Sequence, residues 1–435
     1  MSSGGPSTTK GTAMRVLVVG AGQAGLATAC GLAQTDGVEV TVMSHKTPDE
    51  IRKGHVLSTQ VIFGHGLTFE RELGINFWEE IAPDIGGIGL SAMAPGVPME
   101  QQPVIDWWAP LELTAQSVDQ RIKFAGLLEY LKGLPGATVI TNFTTSGELA
   151  RTAGKYDLVL VGAGKSELVK MFGRDDERSS YTKPQRALSV VYVNGVEPGA
   201  TDPDHPIVRF NATPWGELFM IPGLTKSGPC DILFIEARPD GPLDRFEPGT
   251  GERILSPDEH LRRFKDALRE HFPWQYERCR KAELADPTAY LAGRYVPTIR
   301  EPLLRIDAEH SVLAIGDVFV QQDPIAGQGA NMATWNAKVV VEAVRERLRE
   351  GGPFDDAWKL ATAERQWAIA RHSVRFSNTL LDPPEYVLGA LGAAGQFPDV
   401  RRWLVNGFAQ PSDFADRLYD PAALQRYLAG AAGAA

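Results

Sequence analysis

Short apolar runs along the chain predict the strands of a parallel sheet. Residues 15–19 (RVLVV) lead into a glycine-rich turn, the helix-like run 26–33 follows, and residues 38–43 (VEVTVM) predict a second strand. Similar runs occur at 156–161 (YDLVLV) and 311–315 (SVLAI). Because apolar and polar positions do not alternate in these runs, we expect strands that are buried on both faces and covered by helices.

The pattern changes in the middle of the chain. Residues 187–193, 206–221 and 230–237 are longer, partly alternating runs separated by Pro and Gly, which predicts a mixed or antiparallel sheet inserted into the first lobe. Ser256 followed by Pro, Asp and Glu predicts a capped helix start. After about residue 353 the chain is predicted to be helical.

Composition and charge exclude several classes of function. The 435 residues carry a net charge of −10, which disfavours binding to nucleic acids or anionic membranes. No apolar run reaches the roughly 20 residues that span a bilayer. The cysteines, Cys30, Cys230 and Cys279, are far apart, which argues against a zinc site or disulfides and fits a reducing cytoplasm. Residues 1–13 lack the apolar core of a signal peptide and are predicted to be a disordered tail.

The first motif with chemical meaning follows the first predicted strand. Glycines there let the backbone turn tightly and approach a pyrophosphate, while the N-terminus of the next helix offers free N–H groups. The alternative is a purely structural turn, but a strand–turn–helix context favours nucleotide binding. The predicted cofactor-binding residues are Gly20, Ala21, Gly22, Gln23, Ala24 and Gly25.

The end of the second strand departs from the usual nucleotide-binding pattern. An acidic residue is expected there to bind a ribose hydroxyl, whereas this chain has Ser44 and His45. A hydroxyl group forms a weaker hydrogen bond than a carboxylate, which predicts a loosely held dinucleotide that is lost on purification. Alternatively, another residue binds the ribose.

A second motif lies three quarters of the way along the chain, in the segment 315–333 (IGDVFVQQDPIAGQGANMA). Its Asp can reach a ribitol or ribose hydroxyl, and its glycines leave room for a flat ring before a helix predicted at 329–350, whose positive dipole end stabilises negative charge. The alternative is a glycine-rich loop with a capped helix and no ligand. The candidate residues are Gly316, Asp317, Pro324, Gly327, Gln328, Gly329, Ala330 and Asn331.

These motifs together resemble the flavoprotein monooxygenases of the para-hydroxybenzoate hydroxylase fold. Within this fold, the chain more closely resembles the oxygenase component of two-component styrene and indole monooxygenases. The resemblance runs from Met14 over nearly the whole chain, and the segments that carry it are VVGAGQAGL, VDQRIKF (118–124), YDLVLVGAGK (156–165), KPQRAL (183–188), VPTIR (296–300) and 315–333.

The resemblance implies a Rossmann-type α/β FAD-binding domain with an inserted mixed β-sheet substrate domain and a C-terminal helical segment. We divide the chain into the tail at 1–13, an FAD-binding domain at 14–180 and 295–352, a substrate domain at 181–294 and a helical region at 353–435. We expect the protein to be cytoplasmic, and the sequence leaves a homodimer open.

The resemblance also implies the chemistry. Such enzymes receive FADH2 from a separate NADH-dependent flavin reductase, and O2 adds to carbon 4a of the flavin. The resulting hydroperoxyflavin passes one oxygen atom to a small aromatic substrate, by epoxidation of a styrene-like alkene or indole or by sulfoxidation of a thioether. Because the flavin supplies the reactive group, the protein needs no catalytic nucleophile, and no nucleophile–His–Asp set is evident.

Single-component relatives carry an Asp-Gly motif linked to NAD(P)H, and this chain departs from it. The corresponding place has Asp157 and the glycine-rich turn 162–165, without adjacent Asp-Gly. We interpret this as loss of nicotinamide chemistry within the chain. In the segment 53–59, His55 and Ser58 stand where the family has Arg and Asn near the flavin, and they are our candidate catalytic residues.

Three arginines complete the candidates. Arg121 matches a family position near FAD, with a surface or salt-bridged arginine as the alternative. Arg186 and Arg300 are predicted to be ion-pair partners within the fold.

The sequence disfavours three alternative functions. A self-sufficient NAD(P)H-dependent aromatic hydroxylase is disfavoured by the missing Asp-Gly, and a flavin-dependent halogenase by the missing WxWxIP motif. A flavin-binding protein that does not oxygenate its ligand is disfavoured by the intact DPIAGQG loop.

Overall fold

The structure is a computed structural model that describes residues 13–94, 96–164, 167–247 and 255–434, so most of the tail predicted at 1–13 lies outside the described residues. The strands are β1 (Met14–Val19), β2 (Val38–Ser44), β3 (Ile85–Ala92), β4 (Ile105–Ala115), β5 (Ala137–Thr141), β6 (Leu158–Val161), β7 (Ala187–Asn194), β8 (Ile207–Thr213), β9 (Gly216–Thr225), β10 (Gly228–Ala237), β11 (Glu283–Leu284), β12 (Tyr290–Gly293), β13 (Thr298–Ile299), β14 (Leu303–Arg305), β15 (Ser311–Ala314) and β16 (Val320–Gln321). The helices are α1 (Gln23–Ala33), α2 (Pro48–Lys53), α3 (Gly64–Glu72), α4 (Gln120–Gly133), α5 (Ser146–Ala153), α6 (Pro257–His271), α7 (Pro273–Cys279), α8 (Gly329–Glu350), α9 (Asp356–Leu381), α10 (Glu385–Ala393), α11 (Pro398–Ala409) and α12 (Pro421–Ala434).

The first sheet has six strands in the order β14-β15-β6-β1-β2-β5. All its pairs are parallel except β14 with β15. Consecutive side chains of β1, Val16, Leu17 and Val18, are fully buried, so both faces of the sheet are covered. The strands predicted from the apolar runs are therefore confirmed, and their carboxyl ends meet along one edge of the sheet.

The second sheet has eight strands in the order β11-β7-β10-β9-β8-β3-β4, and β12 also pairs with β7. Its pairs are antiparallel except β3 with β8. The mixed sheet predicted from the alternating runs is confirmed. Two of its strands, β3 and β4, come from residues 85–115, a part of the chain that we assigned to the first lobe.

The second sheet separates two cores. Phe219, Phe234 and Tyr192 point into a core shared with the C-terminal helices, and Ile325 and Ala326 of the second motif belong to the same core. The opposite face packs on α6. The predicted start of α6 is confirmed, since the Ser256 side chain accepts a hydrogen bond from the Glu259 main-chain N–H at 3.3 Å. The fold is thus α/β, with a Rossmann-type lobe, an inserted sheet and a C-terminal helical segment.

Candidate active site

The glycines of the first turn have three different physical roles. Gly20 has φ of +112°, and a Cβ atom there would lie 2.7 Å from the Ala163 nitrogen. A Cβ atom on Gly25 would lie 2.1 Å from the Gly20 oxygen, so this position holds α1 close to the turn. A Cβ atom on Gly22 would have no atom within 4 Å, so its surface is open to a ligand.

The N-terminus of α1 is arranged to accept an anion. Gly22 at the N-cap position provides no side-chain cap, and the first turn of the helix contains no acidic residue. The first N–H groups of the helix, including those of Ala24 and Gly25, are therefore left uncapped by α1 itself, and they carry the positive end of the helix dipole. Such a terminus is suited to a phosphate group.

The side chain of Gln23 faces the protein interior. Its Nε2 donates to Glu70 Oε1 at 2.7 Å and to Thr334 Oγ1 at 3.0 Å. Glu70 is fully buried and pairs with Lys123, whose Nζ lies 2.7 Å from Glu70 Oε1. Gln23 can therefore serve a cofactor through its main chain, while its side chain ties α1 to α3 and α8.

Gly316 and Asp317 lie directly beside the first turn. Gly316 has φ of +57°, and a Cβ atom there would lie 2.8 Å from the Ala24 Cβ. A Cβ atom on Gly164 would lie 2.9 Å from the Asp317 Cβ, so the second glycine turn packs on the same place. Arg300 donates to the Asp317 main-chain oxygen at 3.2 Å, and the Asp317 side chain is exposed. The structure thus brings the two predicted motifs together.

The DPIAGQG loop forms an open ledge before α8. Asp323 caps a short 3-10 turn, Pro324–Ala326, by accepting the Ile325 N–H at 3.2 Å. Gly327 then adopts φ of +61°, a left-handed conformation that favours glycine. Cβ atoms on Gly327 and Gly329 would have no atom within 4 Å, so nothing on the described chain fills the space above these glycines.

The start of α8 is anchored by side chains that point away from this ledge. Gln328 Nε2 donates to the Phe408 oxygen at 2.8 Å. Asn331 accepts the Phe63 N–H at 2.8 Å and donates to the Val61 oxygen at 2.8 Å. No side chain caps the first turn of α8, and that turn contains no acidic residue. Gln328, Ala330 and Asn331 could therefore face a cofactor through their main-chain atoms.

The ribose position after β2 is occupied by a closed turn. The Ser44 hydroxyl donates to the Lys46 oxygen at 2.7 Å, and Ser44 is buried. His45 is exposed, and its pKa is lowered by partial burial and by Lys46. The hydroxyl of Ser44 is thus used within the protein, while His45 remains accessible to a ligand.

His55 and Ser58 lie on an exposed segment between α2 and α3. The His55 Nδ1 is 3.4 Å from the Tyr290 oxygen, and the two rings meet edge to face. The Ser58 hydroxyl donates to the neighbouring Thr59 oxygen at 3.0 Å, whereas the Ser58 main-chain oxygen accepts from the buried Tyr192 hydroxyl at 2.7 Å. The segment is therefore anchored to β7 with both candidate side chains outside the core.

Arg121 lies in a buried ion-pair cluster at the start of α4. Its guanidinium is fully buried, 2.6 Å from Asp119 and 2.9 Å from Asp286, and it also donates to Thr288 and Thr225. Burial opposes ionisation of Asp286, but hydrogen bonds from Arg121 and Thr288 lower the pKa of Asp286 below its usual value. The described contacts of Arg121 are thus with protein groups.

The second glycine turn lacks the adjacent acid of single-component relatives. Asp157 precedes β6 and accepts the Arg15 N–H at 2.7 Å, at the amino end of the parallel sheet. Gly162 follows β6 at the carboxyl end, where the two cofactor motifs lie. The acid and the turn are therefore on opposite edges of the sheet. Lys165 of this turn lies outside the described residues.

A buried charged cluster beside the DPIAGQG loop was not predicted, apart from its arginine. Arg186 pairs with Glu217 through two contacts of 2.7 and 2.9 Å, which confirms Arg186 as an ion-pair partner. Glu236 lies opposite Glu217 on the neighbouring strand and is fully buried. The available sequence signal was an acidic residue in the same alternating phase as Phe219 and Phe234.

Two further classes of site are not found in the part of the chain that the structure describes. No group of three or more His, Cys, Asp or Glu side chains in it could hold a metal ion. No helix in the same ranges is both long and apolar enough to cross a membrane.

Comparisons with known proteins agree with this geometry. Residues 164–278 match the family model described as the styrene monooxygenase A putative substrate binding domain. Styrene monooxygenase StyA of Pseudomonas fluorescens is 28% identical over 415 residues, covering 94% of this chain and 95% of the relative. StyA of a Pseudomonas species is 27% identical over 416 residues, again covering 94% and 95%.

Solved structures share the fold at low sequence identity. The flavin-dependent brominase Bmp2 has a TM-score of 0.64 and 14% identity, covering 95% of this chain and 98% of its own. The p-nitrophenol 4-monooxygenase PnpA of Pseudomonas putida DLL-E4 has a TM-score of 0.61 and 14% identity, covering 92% and 98%. These findings confirm the resemblance drawn from the motifs: over 94% of its length the chain is similar to styrene monooxygenases named StyA, and it shares the fold of solved flavin-dependent enzymes.

Proposed function

We propose that this protein is a two-component FAD-dependent monooxygenase that epoxidises a styrene-like alkene or indole and sulfoxidises thioethers. The observation that carries the proposal is the meeting of three glycine segments at one edge of the parallel sheet. These are the turn at Gly20–Gly25, Gly316 with Asp317, and the ledge at Gly327–Gly329. The first turn and the ledge leave open space and uncapped N–H groups where FAD would lie, and the close packing of Gly316 on Ala24 brings Asp317 beside the first turn.

The residues present fit FAD. The first turn of α1 beside Gly22 would hold the pyrophosphate, and Asp317 would bind a ribitol or ribose hydroxyl. Gly327 and Gly329 would seat the isoalloxazine ring, since side chains there would occupy its space. The N-terminus of α8 would stabilise negative charge on the ring. When bound in reduced form, the flavin would activate O2 and supply the oxygen atom to the substrate.

The second sheet supplies a wall for a small aromatic substrate. Phe210 and Phe219 stack with ring centroids 4.6 Å apart, and Phe234 lies 6.1 Å from Phe219. Phe219 and Phe234 belong to the core that includes Ile325 and Ala326 of the DPIAGQG loop. An apolar wall would exclude water, which otherwise favours loss of hydrogen peroxide.

Delivery of reduced FAD by a separate NADH-dependent reductase is supported by two features. Asp157 is at the far edge of the sheet from Gly162, so the acid that relatives use with NAD(P)H is missing from the site. At the end of β2, where a carboxylate would bind a ribose hydroxyl, the chain has Ser44 instead, and the Ser44 hydroxyl is used within its own turn. Loose binding suits a cofactor that is exchanged between two proteins.

The domain division of the sequence analysis is kept in this proposal, with β3 and β4 added to the substrate sheet. His55, Ser58 and His45 remain candidates near the flavin and the substrate. Arg121, which the sequence placed near FAD, is now proposed to support the fold, because its buried guanidinium pairs with Asp119 and Asp286.

The direct test supplies chemically reduced FAD to the purified protein in aerated buffer containing styrene or indole. We expect oxygenated product without any reductase, and none with NADPH and oxidised FAD. Product from NADPH alone would indicate a single-component hydroxylase. Binding of FAD with only hydrogen peroxide formed from every substrate would indicate a flavin-binding protein that does not oxygenate.

A further inference from the structure

Several buried side chains of the described residues, including Gln366 and Asn336, have no hydrogen-bond partner, and Glu236 is the carboxylate among them. It is fully buried on β10, and neither carboxyl oxygen has a hydrogen-bond partner within the described residues. Buried polar atoms are normally hydrogen-bonded, because an unpaired one costs the full free energy of its desolvation. A group retained in this state calls for a functional explanation.

Glu236 lies on the face of the second sheet that packs against the DPIAGQG loop. It lies directly opposite Glu217 in the β9–β10 pair and shares the phase of Ile232 and Phe234 along its strand. That phase belongs to the core containing Ile325 and Ala326, which immediately follow Asp323 and Pro324. The carboxyl group therefore lies on the face of the sheet that packs on the DPIAGQG loop and the C-terminal helices.

The charges around Glu236 leave it without a cation of its own. Glu217 takes the guanidinium of Arg186 through two hydrogen bonds. Burial raises the pKa of Glu236 well above its usual value, and the Asp323 and Glu217 carboxylates raise that pKa further, while Arg186 opposes them. Burial also raises the pKa of Asp323 to about 6. The other ionisable groups facing this cluster are Tyr181, Tyr295 and Arg238.

The proposed reaction consumes a proton at the place where the flavin and the substrate would meet. The N-terminus of α8 favours a reduced flavin that binds as its anion. The overall reaction then converts the reduced anion, O2, the substrate and one proton into oxidised flavin, oxygenated product and water. A dry pocket cannot draw that proton from bulk water at the moment of reaction. It needs an internal acid that is still protonated at neutral pH.

We propose that Glu236 stores this proton and transfers it through Asp323 to the oxygen atom that leaves as water. Because neither Glu236 oxygen is hydrogen-bonded to a described group, a bridging water carries the step: the Glu236 O–H bond breaks as a proton passes through that water to Asp323. Asp323 gives a proton to the leaving oxygen, and Glu236 is reprotonated from solvent before the next turnover. Glu236 acts through Asp323 and is thus a positioning residue. This inference rests on the proposed function.

The first test examines the resting protein by infrared difference spectroscopy. We expect a carbonyl band of a protonated carboxyl group at neutral pH that disappears in Glu236→Gln and in Glu236→Leu. The leucine variant replaces an unpartnered polar group with an apolar one, so at least one variant should fold. Asp231→Asn, which removes a carboxyl group from the opposite face of the same strand, should keep the band. A wild-type spectrum without the band would overturn the proposal.

The second test measures how much oxygen reaches the product. With reduced FAD supplied, both Glu236 variants should bind FAD like the wild type but form several-fold more hydrogen peroxide per product. Their product yield should fall steeply as pH rises, because the proton must then come from solvent, whereas the yield of Asp231→Asn should follow the wild type. Unchanged yields and pH profiles in both Glu236 variants would contradict the proposal.

The two proposals fail in different ways. If wild-type protein forms no oxygenated product, the proposed function fails, whatever the infrared spectrum shows. If the wild type forms product and the Glu236 variants match it at every pH, only the stored proton is refuted.

Discussion

Gln23 Nε2 donates to Thr334 Oγ1 over 3.0 Å, which joins α1 to α8 across 311 residues of chain. The same nitrogen donates to Glu70 at 2.7 Å. The amide thus links the two helices whose N-termini would face the pyrophosphate and the flavin ring, and at their other ends Arg345 of α8 donates to the Gly31 oxygen of α1 at 3.0 Å. Their relative position is set before any cofactor binds.

Replacing this amide should loosen both termini. In Gln23→Ala, the buried Glu70 and Thr334 lose a hydrogen bond, which should cost about 1–3 kcal/mol of unfolding free energy and weaken FAD binding. Urea unfolding and FAD titration measure the two effects. Gln34→Ala is the matched control, because Gln34 lies at the other end of α1 and bonds the Leu73 oxygen. Equal losses of FAD affinity in both variants would contradict a positioning role for Gln23.

The glycines of the first turn should separate binding from folding. In Gly22→Val, the side chain enters open space, so we expect unchanged thermal stability. We expect FAD affinity to fall about tenfold or more, which corresponds to a loss of at least about 1.4 kcal/mol of binding free energy. In Gly25→Ala, the new Cβ meets the Gly20 oxygen, so we expect a loss of about 1–3 kcal/mol of stability. Calorimetry and equilibrium dialysis distinguish the two outcomes. A destabilised Gly22→Val would show that the space is not reserved for a ligand.

Arg121 should prove important mainly for the fold. Arg121→Met leaves the buried Asp119 without its cation and Asp286 with only Lys226, 3.4 Å away, and breaking such a buried pair costs about 3–5 kcal/mol. We expect a large fall in stability, and FAD affinity close to the wild type in the protein that remains folded. Denaturant unfolding followed by FAD titration at low denaturant checks this. A selective loss of FAD affinity would instead place Arg121 at the cofactor.

Acid should destabilise the protein through His260. This buried ring lies 2.9 Å from the Ser189 hydroxyl, and its pKa is lowered from 6.5 to about 4, first by burial and then by Arg263. At pH values between about 4 and 6.5, the unfolded chain therefore binds more protons than the folded protein, and stability is lost as pH falls from 6.5 towards 4. The loss should be about 3 kcal/mol. In His260→Gln, the unfolding free energy should depend less on pH in this window, and an unchanged slope would refute the assignment.

Local sequence patterns were sufficient to predict much of the Rossmann-type lobe and the site. Apolar runs that end in glycine locate β1, β6 and β15, because a parallel strand and its turn are both encoded within a few residues. The strand β3 was missed because its sequence, IGGIGLSA, contains three glycines, which are depleted in strands.

Contacts between distant segments could not be predicted in this way. The pairing of Arg121 with Asp286 and the placement of Glu236 opposite Glu217 depend on which strands and loops become neighbours. Hydrophobic patterning sets the face of a side chain but not its partner. The side chain of Gln23 shows the same limit, since its motif predicts a cofactor contact while its amide binds Glu70 and Thr334.

The order of strands in the first sheet has a consequence for biosynthesis. β15 completes the sheet beside β6 only after more than 300 residues have been made, and the ledge at Gly327–Gly329 comes later still, after β16. An incomplete chain that ends before Ser311 can form the first turn at Gly20 but has no seat for the flavin ring. Competence to activate oxygen would then arise late in synthesis, so that unfinished chains would not release hydrogen peroxide in the cell.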